Sequence, residues 1–333
     1  MLGRLRSSLG RVVAATGRMR AFDFAAAPID ASLREMAEVL DGMERAKTSM
    51  RALVKYVPID LVRELFQSNR EPELGGELLE ISLLFSDIEG FTTLSERLDP
   101  DTLARVLGHY LAAMTSGVRA TNGTVDKFIG DSVMAFWNAP SRCPDHASRA
   151  CRAALSCMQM TRALYASPLW TGLPPLFTRF GLHRATVMVG NFGAPERLSY
   201  TALGDGVNLA SRLEGLCKLY GVAVLASEAI VAQAGEEFAF RFIDRVAVKG
   251  KTESVRVYEL LGLRAESGAA LLRAGLYEQA LEAYFARDFS KALSIVGTLT
   301  DDPASRVLAA RCAAMLASPP PPDWNGVYVA TDK

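Results

Sequence analysis

No apolar stretch in this 333-residue sequence reaches the roughly 18 residues that a helix needs to span a bilayer. The N-terminus also lacks the apolar core of a secretory signal peptide. Basic and acidic residues balance at 37 each, so the basic excess of a general nucleic-acid binder is missing. We therefore expect a chain that does not itself cross a membrane and that has no nucleic-acid partner.

Cysteine is scarce, and its spacing is not that of metal ligands. An odd and scattered set is typical of a reducing compartment, so we expect a cytoplasmic location. No obvious Ser–His–Asp or Cys–His combination is present, which gives no indication of a side-chain nucleophile. The cysteines are Cys143, Cys151, Cys157, Cys217 and Cys312.

The first twenty residues depart from the neutral charge balance, because they hold five arginines and no acid. One interpretation is the solvated face of a helix. The other is a segment that follows a membrane helix, since basic residues collect on the cytoplasmic side. The sequence leaves both interpretations open.

Two helices are predicted before residue 57, over residues 1–20 and 31–56, joined by a connector that contains Pro28. The second helix carries an apolar stripe in steps of three and four residues, which is typical of a core or of a dimer seam. A polar, glycine-containing stretch at 68–77 predicts a domain boundary. The stripe consists of Leu33, Met36, Leu40, Met43, Ala46 and Met50.

After this boundary, strands and helices mix without strict alternation, and hairpins are present. This pattern predicts an α+β fold with a largely antiparallel sheet. One helix is expected from about Pro100 to Ala120, with Asp99 or Asp101 near its N-cap. Residues 263–333 read as an alanine-rich helical hairpin of the tetratricopeptide kind followed by a proline-rich tail, and a single such hairpin must pack on something.

Two aspartates stand at predicted strand ends. In VDKFIGDSVMAFW (125–137), Gly130 and Asp131 form the expected hairpin turn, and Asp131 either serves only that turn or projects from the sheet. Asp87, in LLFSDIEGF, ends a buried-type strand in the same way. Convergent carboxylates repel unless a cation lies between them, and hard divalent ions prefer oxygen ligands.

A third stretch, SYTALGDGVNLASRLEG, adds polar groups. Asn208 and Arg212 are four residues apart and therefore share one face of a helix. The apolar residues of this helix lie mostly on the other side, so Arg212 is presented away from the core. An exposed arginine is either simply solvated or available to a phosphoryl group, which its planar fork matches.

Together these stretches resemble the class III nucleotidyl cyclases over residues 77–262. The resemblance implies a ferredoxin-like, palm-type sheet flanked by helices. It also implies an intramolecular reaction in which the ribose 3′-hydroxyl attacks the α-phosphate and pyrophosphate leaves. The motifs that carry it occur in the family's order: FSDIEGFT, KFIGDSVMAFW, GNFG, YTALGDGVNLASRLE and VAVKGKT.

The resemblance implies roles for particular residues. Asp87 and Asp131, with the carbonyl of Ile88, match the positions that hold two Mg²⁺ or Mn²⁺ ions. Lys127 matches the family's adenine-reading lysine, and its partner position, seven residues before the motif asparagine, is Thr201. Threonine resembles a subgroup of bacterial adenylyl cyclases, whereas guanylyl cyclases tend to carry glutamate and cysteine. The pair therefore favours ATP.

Three further residues carry expected roles by the same resemblance. Asn208 would orient the ribose, Arg212 would meet the charge that develops on the α-phosphate, and Lys249 would contact the terminal phosphates. One departure is Ala185, which stands where the family usually has glycine, and we expect a minor effect. Rival hypotheses are a guanylate cyclase, a non-catalytic ATP-sensing module, and a scaffold that acts through residues 263–333.

Family enzymes are head-to-tail homodimers with composite sites, and we expect the same here. Residues 1–47 resemble a HAMP signal relay, although the match is weaker and lacks the usual start, and residues 48–76 resemble the coupling helix and linker before such cyclase domains. This arrangement normally follows a membrane sensor, so we expect either such a sensor outside this chain or a gene that has lost it. The chain would then act in the cytoplasm, alone or as the cytoplasmic part of a membrane-anchored protein.

Overall fold

The computed structural model describes residues 2–26, 34–58, 61–63, 71–247 and 254–329. The chain divides into two compact units, of which the first comprises Met1–Gly75 with Asn191–Tyr200 and the second Gly76–Gly190 with Thr201–Lys333. In the described ranges, none of the helices combines the length and apolarity that crossing a membrane requires.

The first unit contains two helices, α1 (Leu2–Arg20) and α2 (Arg34–Leu53), close to the predicted spans. In the apolar stripe of α2, Leu40 is buried but Ala46 is exposed, and Leu33 lies outside the described residues. The neighbouring Lys47 is fully buried instead, with its Nζ atom 2.7 Å from Oε1 of Glu44. A buried ammonium needs such a partner because desolvation of a lone charge is costly.

From residue 75 onward, helices and strands mix as the sequence predicts. In chain order they are β1 (Gly75–Ile88), α3 (Phe91–Ser95), α4 (Pro100–Ala120), β2 (Thr124–Ile129), β3 (Ser132–Trp137), α5 (His146–Tyr165), β4 (Thr178–Ala194), β5 (Arg197–Leu203), α6 (Asp205–Tyr220), β6 (Val224–Ser227), α7 (Glu228–Ala234), β7 (Phe238–Ala247), β8 (Val255–Leu263), α8 (Gly268–Phe285), α9 (Phe289–Val296), α10 (Pro303–Ala317) and β9 (Tyr328–Val329).

The strands form one sheet in the order β2-β3-β1-β4-β6-β8-β7-β9, and β5 pairs with β4. The pairs β2–β3, β3–β1, β6–β8 and β8–β7 are antiparallel, whereas β4–β6 and β7–β9 are parallel. The predicted α+β fold with a largely antiparallel sheet is therefore confirmed. The motif GNFG lies within a strand, because β4 continues through it to Ala194.

Local sequence signals set several of these elements. Gly130 adopts a φ of 65°, which glycine tolerates without strain, and this makes the tight turn between β2 and β3. Asp99 caps α4 by accepting a hydrogen bond from the Thr102 amide at 2.9 Å. Helix α6 ends at Gly221, whose φ is also 65°. All three features agree with the sequence-based expectation.

The core of the second unit consists of two apolar clusters. The first lies among β1, β3, α4 and α5 and includes Tyr110 and Trp137. The second lies among α6, β7, β8 and the three C-terminal helices. A buried polar contact joins the same elements, because Tyr220 of α6 donates to Asp244 of β7 at 2.7 Å and Arg311 of α10 pairs with the same carboxylate. The C-terminal helices therefore share a core with the sheet.

Candidate active site

The sheet brings the two predicted metal-binding aspartates together. Asp87 lies near the end of β1, and Asp131 lies in the turn before β3, which pairs antiparallel with β1. Oγ of Ser132 donates to Oδ1 of Asp87 at 2.7 Å, and the Ile88 amide donates to Oδ2 of Asp131 at 2.9 Å. Each carboxylate is thus held by a neighbour of the other, as convergence at one sheet edge requires.

Electrostatics at this pair favour a bound cation. Burial raises the pKa of Asp131, the Ile88 amide opposes that shift, and the negative charge of Asp87 adds to it. A carboxylate offers about four lone-pair positions, so both groups keep acceptor capacity beyond the hydrogen bonds described. Oxygen donors of this kind fit Mg²⁺ or Mn²⁺. No cluster of three or more His, Cys, Asp or Glu side chains suited to a metal occurs in the described part of the chain.

Sequence reasoning missed an arginine that joins two acids beside this pair. Arg179 of β4 is buried, with Nη2 2.8 Å from Oδ2 of Asp87 and Nε 3.2 Å from Oε1 of Glu214. Glu214 lies on α6, which can approach β4 closely because Gly181 has no side chain. A Cβ at this position would lie 2.2 Å from the Ala210 carbonyl oxygen. The only sequence signal is a charged residue at the start of a strand, next to Phe180.

The pKa of Glu214 is raised to about 7. Burial is the largest cause, the charge of Asp87 adds to it, and Arg179 acts in the opposite direction. A carboxyl group that titrates near neutrality is therefore connected to Asp87 through Arg179. Its position on α6 links that helix to the acidic edge of the sheet.

The predicted base-reading pair is also in contact. Nζ of Lys127, on β2, lies 3.2 Å from Oγ1 of Thr201, on β5. Thr201 donates its hydroxyl hydrogen to Asp126, whose side chain is 2% exposed and lies 3.5 Å from the Lys127 ammonium. Burial raises the pKa of Asp126, while the Thr201 hydroxyl and the Lys127 charge lower it. Asp126 was missed because it reads as an ordinary strand residue.

Asn208 and Arg212 are both exposed on the same face of α6. Ala210, Leu213 and Cys217 are buried on the other side of this helix, as its apolar pattern predicts. The two polar side chains are thus presented at the surface of the unit. Lys249 lies outside the described residues.

Ala185, which stands where the family usually has glycine, lies next to Gly206. A Cβ on Gly206, at the start of α6, would lie 2.5 Å from the Cβ of Ala185. The methyl group of Ala185 therefore occupies room that Gly206 leaves open. This packing gives a physical reason to expect that alanine in place of glycine at position 185 has only a minor effect on the geometry here.

Residues 76–262 match the family described as adenylate and guanylate cyclase catalytic domain. Because this match covers more than half of the chain, the chain belongs to that family. The chain is 39% identical over 261 residues to adenylate cyclase 1 of Rhizobium meliloti (strain 1021), and the match covers 78% of this chain and 39% of that protein. It is 35% identical over 236 residues to the adenylate cyclase of Anabaena cylindrica, covering 69% of this chain and 47% of that one.

The fold agrees with that of a solved adenylyl cyclase. The crystal structure of the adenylyl cyclase CyaB from P. aeruginosa matches with a TM-score of 0.54 and 33% identity, over 59% of this chain and 100% of that chain. The predicted family and its palm-type fold are therefore confirmed. The chain spans less than half the length of each of the two curated relatives.

Proposed function

We propose that this chain is an adenylate cyclase that converts ATP into 3′,5′-cyclic AMP and pyrophosphate. The observation that carries the proposal is the contact between Lys127 and Thr201, whose Nζ and Oγ1 atoms lie 3.2 Å apart. A lysine donor beside a hydroxyl acceptor complements N1 and the exocyclic amine of adenine. The names of the two curated relatives, both called adenylate cyclase, support the same substrate.

The other site residues receive roles around this base position. Asn208 orients the ribose, and Arg212 meets the charge that develops on the α-phosphate, because its guanidinium fork matches phosphoryl oxygens. Lys249 contacts the terminal phosphates. The exposure of Asn208 and Arg212 on α6 is consistent with access to a nucleotide.

Asp87 and Asp131, with the carbonyl of Ile88, would hold two Mg²⁺ or Mn²⁺ ions. When bound, such ions neutralise phosphate charge and lower the pKa of a coordinated hydroxyl. Ser132 and Arg179 hold the carboxylate of Asp87 in place, with contacts of 2.7 and 2.8 Å. The acidic pair is therefore already oriented by the protein's own groups.

The reaction needs no covalent intermediate on the protein. The 3′-oxygen forms a bond to the α-phosphorus, and the bond between that phosphorus and the bridging oxygen to the β-phosphate breaks. Pyrophosphate takes the electron pair of that bond, and the hydroxyl proton passes to solvent. The protein contributes alignment of the two ends of the nucleotide and compensation of charge.

The proposal includes a homodimer with composite sites, in which one subunit supplies the aspartates and the other supplies Lys127, Thr201, Asn208 and Arg212. Exposed apolar side chains on β2 and β5, the strands that carry Lys127 and Thr201, support a surface for dimer formation, since exposed apolar patches commonly mark protein contacts. They are Phe128, Ile129 and Leu203.

We also propose that the N-terminal helices regulate turnover by pairing with those of a second copy. Helices α1 and α2 retain exposed apolar residues that a parallel four-helix dimer would cover. They include Leu9 and Val13 on α1 and Val39 and Leu53 on α2.

The direct test is incubation of the purified chain with Mn²⁺ and either ATP or GTP, followed by identification of the product. We expect cyclic AMP from ATP and at least tenfold slower turnover of GTP. The same assay with the Asp131→Ala chain controls for contaminating cyclases. Preferred formation of cyclic GMP would indicate a guanylate cyclase, and ATP binding without product would indicate a non-catalytic sensor.

A further inference from the structure

Asp126 lies at the base-reading pair, and nothing in its sequence setting marks it as functional. Three donors converge on its carboxylate, which is almost fully buried. They are the Thr201 hydroxyl, the Lys127 ammonium at 3.5 Å, and the Ala202 amide. This set of donors suits an ionised carboxylate, because the Lys127 ammonium and the Ala202 amide can only donate and the carboxylate oxygens accept from both.

An ionised carboxylate determines where the hydrogen of Thr201 points. A hydroxyl has one hydrogen to donate and two lone pairs with which to accept. The hydrogen of Thr201 is given to Asp126, and one lone pair accepts from Nζ of Lys127 at 3.2 Å. A single lone pair remains, so Thr201 can act toward a ligand only as an acceptor.

We infer that Asp126 is a positioning residue that sets base specificity by holding the Thr201 hydroxyl as an acceptor, and this inference rests on the proposed adenylate cyclase function. The exocyclic amine of adenine is a donor, so it matches the remaining lone pair. Guanine carries an acceptor oxygen at that position, which would face the lone pair unpaired. A site rejects a ligand strongly when binding of that ligand leaves buried polar groups without hydrogen-bond partners.

Substitution of Asp126 by asparagine keeps the shape but removes the obligatory acceptor. The side-chain amide can then turn its NH₂ group toward Oγ1, which frees the Thr201 hydrogen to point at the base. Guanine O6 would accept that hydrogen, and the adenine amine would lose its partner. The ratio of kcat/KM for ATP to kcat/KM for GTP should therefore fall.

The experiment measures this ratio with Mn²⁺ for the wild-type chain and for Asp126→Asn. We expect a decrease of roughly tenfold, the effect of one hydrogen bond exchanged for a repulsion. Asp101→Asn is the matched control, because Asp101 is exposed in the first turn of α4. A general loss of folded protein would lower both rates and leave the ratio unchanged.

A double substitution tests whether Asp126 acts through Thr201. Thr201→Val removes the hydroxyl, so adding Asp126→Asn to Thr201→Val should not change the ratio further. An active Asp126→Asn chain with the wild-type ratio would overturn the role of Asp126 while the proposed function stands. A wild-type chain that forms no cyclic AMP would overturn both.

A measurement on the wild-type chain covers the case in which Asp126→Asn does not fold. The triphosphate of purine riboside lacks the exocyclic amine, so it cannot donate to Thr201. We expect its kcat/KM to be roughly tenfold below that of ATP. Equal use of the two nucleotides would show that Thr201 accepts nothing from the base, and the inference would be wrong.

Discussion

Nη2 of Arg179 lies 2.8 Å from Oδ2 of Asp87, so an arginine of β4 fixes an aspartate near the end of β1. The same guanidinium pairs with Glu214 on α6 at 3.2 Å. Arg179 is buried, and a buried guanidinium is stable only with such partners. The acidic edge of the sheet is therefore organised by a cation that belongs to the protein itself.

Arg179→Lys should weaken the use of metal. Lysine carries a single ammonium and cannot reproduce the planar fork that reaches both acids. We expect the Mn²⁺ concentration for half-maximal cyclic AMP formation to rise several-fold, measured by titration at saturating ATP. Arg152→Lys is the control, because Arg152 forms an exposed pair with Glu237. A titration curve that coincides with wild type would contradict the positioning of Asp87 by Arg179.

Asp87→Ala and Asp131→Ala should each abolish turnover while the chain stays folded. Loss of one of the two carboxylates proposed to bind metal should reduce cyclic AMP formation with Mn²⁺ by roughly 100-fold or more. Circular dichroism and thermal unfolding report the fold, and the exposed Asp101→Ala provides a matched comparison. Activity retained in either variant would remove the metal assignment.

Arg212→Ala should lower kcat far more than it weakens ATP binding, because the charge on the α-phosphate that we propose it meets develops in the transition state. We expect a loss of roughly 100-fold in kcat, with the dissociation constant for ATP within a few-fold of wild type. Lys218→Ala, an exposed cation on the same helix, is the control. A large loss of affinity with little change in rate would argue for a ground-state role.

A mixture of the Asp131→Ala and Arg212→Ala chains should recover activity that neither has alone. With free subunit exchange, half of the dimers are mixed and each holds one intact site, so about one quarter of wild-type activity is expected. Exchange is verified by native mass spectrometry of differently tagged chains. Mixed dimers without activity would show that each site is built within one subunit.

Glu214→Gln should change how stability depends on pH. Because the pKa of Glu214 in the folded chain is about 7, above its usual value of 4.5, the folded state keeps a proton that the unfolded state has lost. The wild-type free energy of unfolding, relative to Glu214→Gln, should therefore fall between pH 5 and pH 8, by roughly 1–3 kcal/mol. Urea unfolding with chelator at several pH values measures it, and parallel curves for the two chains would contradict the shift.

Short-range patterns in the sequence predict much of this arrangement. The turn at Gly130, the cap at Asp99 and the end of α6 at Gly221 each depend on a few adjacent residues, and each is found where expected. The contact between Lys127 and Thr201 spans 74 positions, and only the resemblance to a family could predict it. Composition and periodicity alone would not have predicted this contact between side chains of β2 and β5.

The groups that support the predicted residues were not predictable in the same way. Arg179, Glu214 and Asp126 become meaningful only when strands and helices meet, because the partner of each lies 75 or more positions away or on another element. The close approach of α6 to β4 at Gly181 is one such event. A charged residue in a strand does not by itself reveal which oppositely charged group it will contact.

The core that α6 and β7 share with the three C-terminal helices extends beyond the region that is similar to the family. The part of the chain that folds together is therefore larger than that region. A fragment cut at residue 262, where similarity to the family stops, would expose Tyr220 and Ile243, which contact Arg311 of α10 and Tyr277 of α8 and are buried in the intact chain. Exposing each large apolar side chain costs about 1.5–3 kcal/mol. Excision of the catalytic region should therefore retain residues through the end of α10.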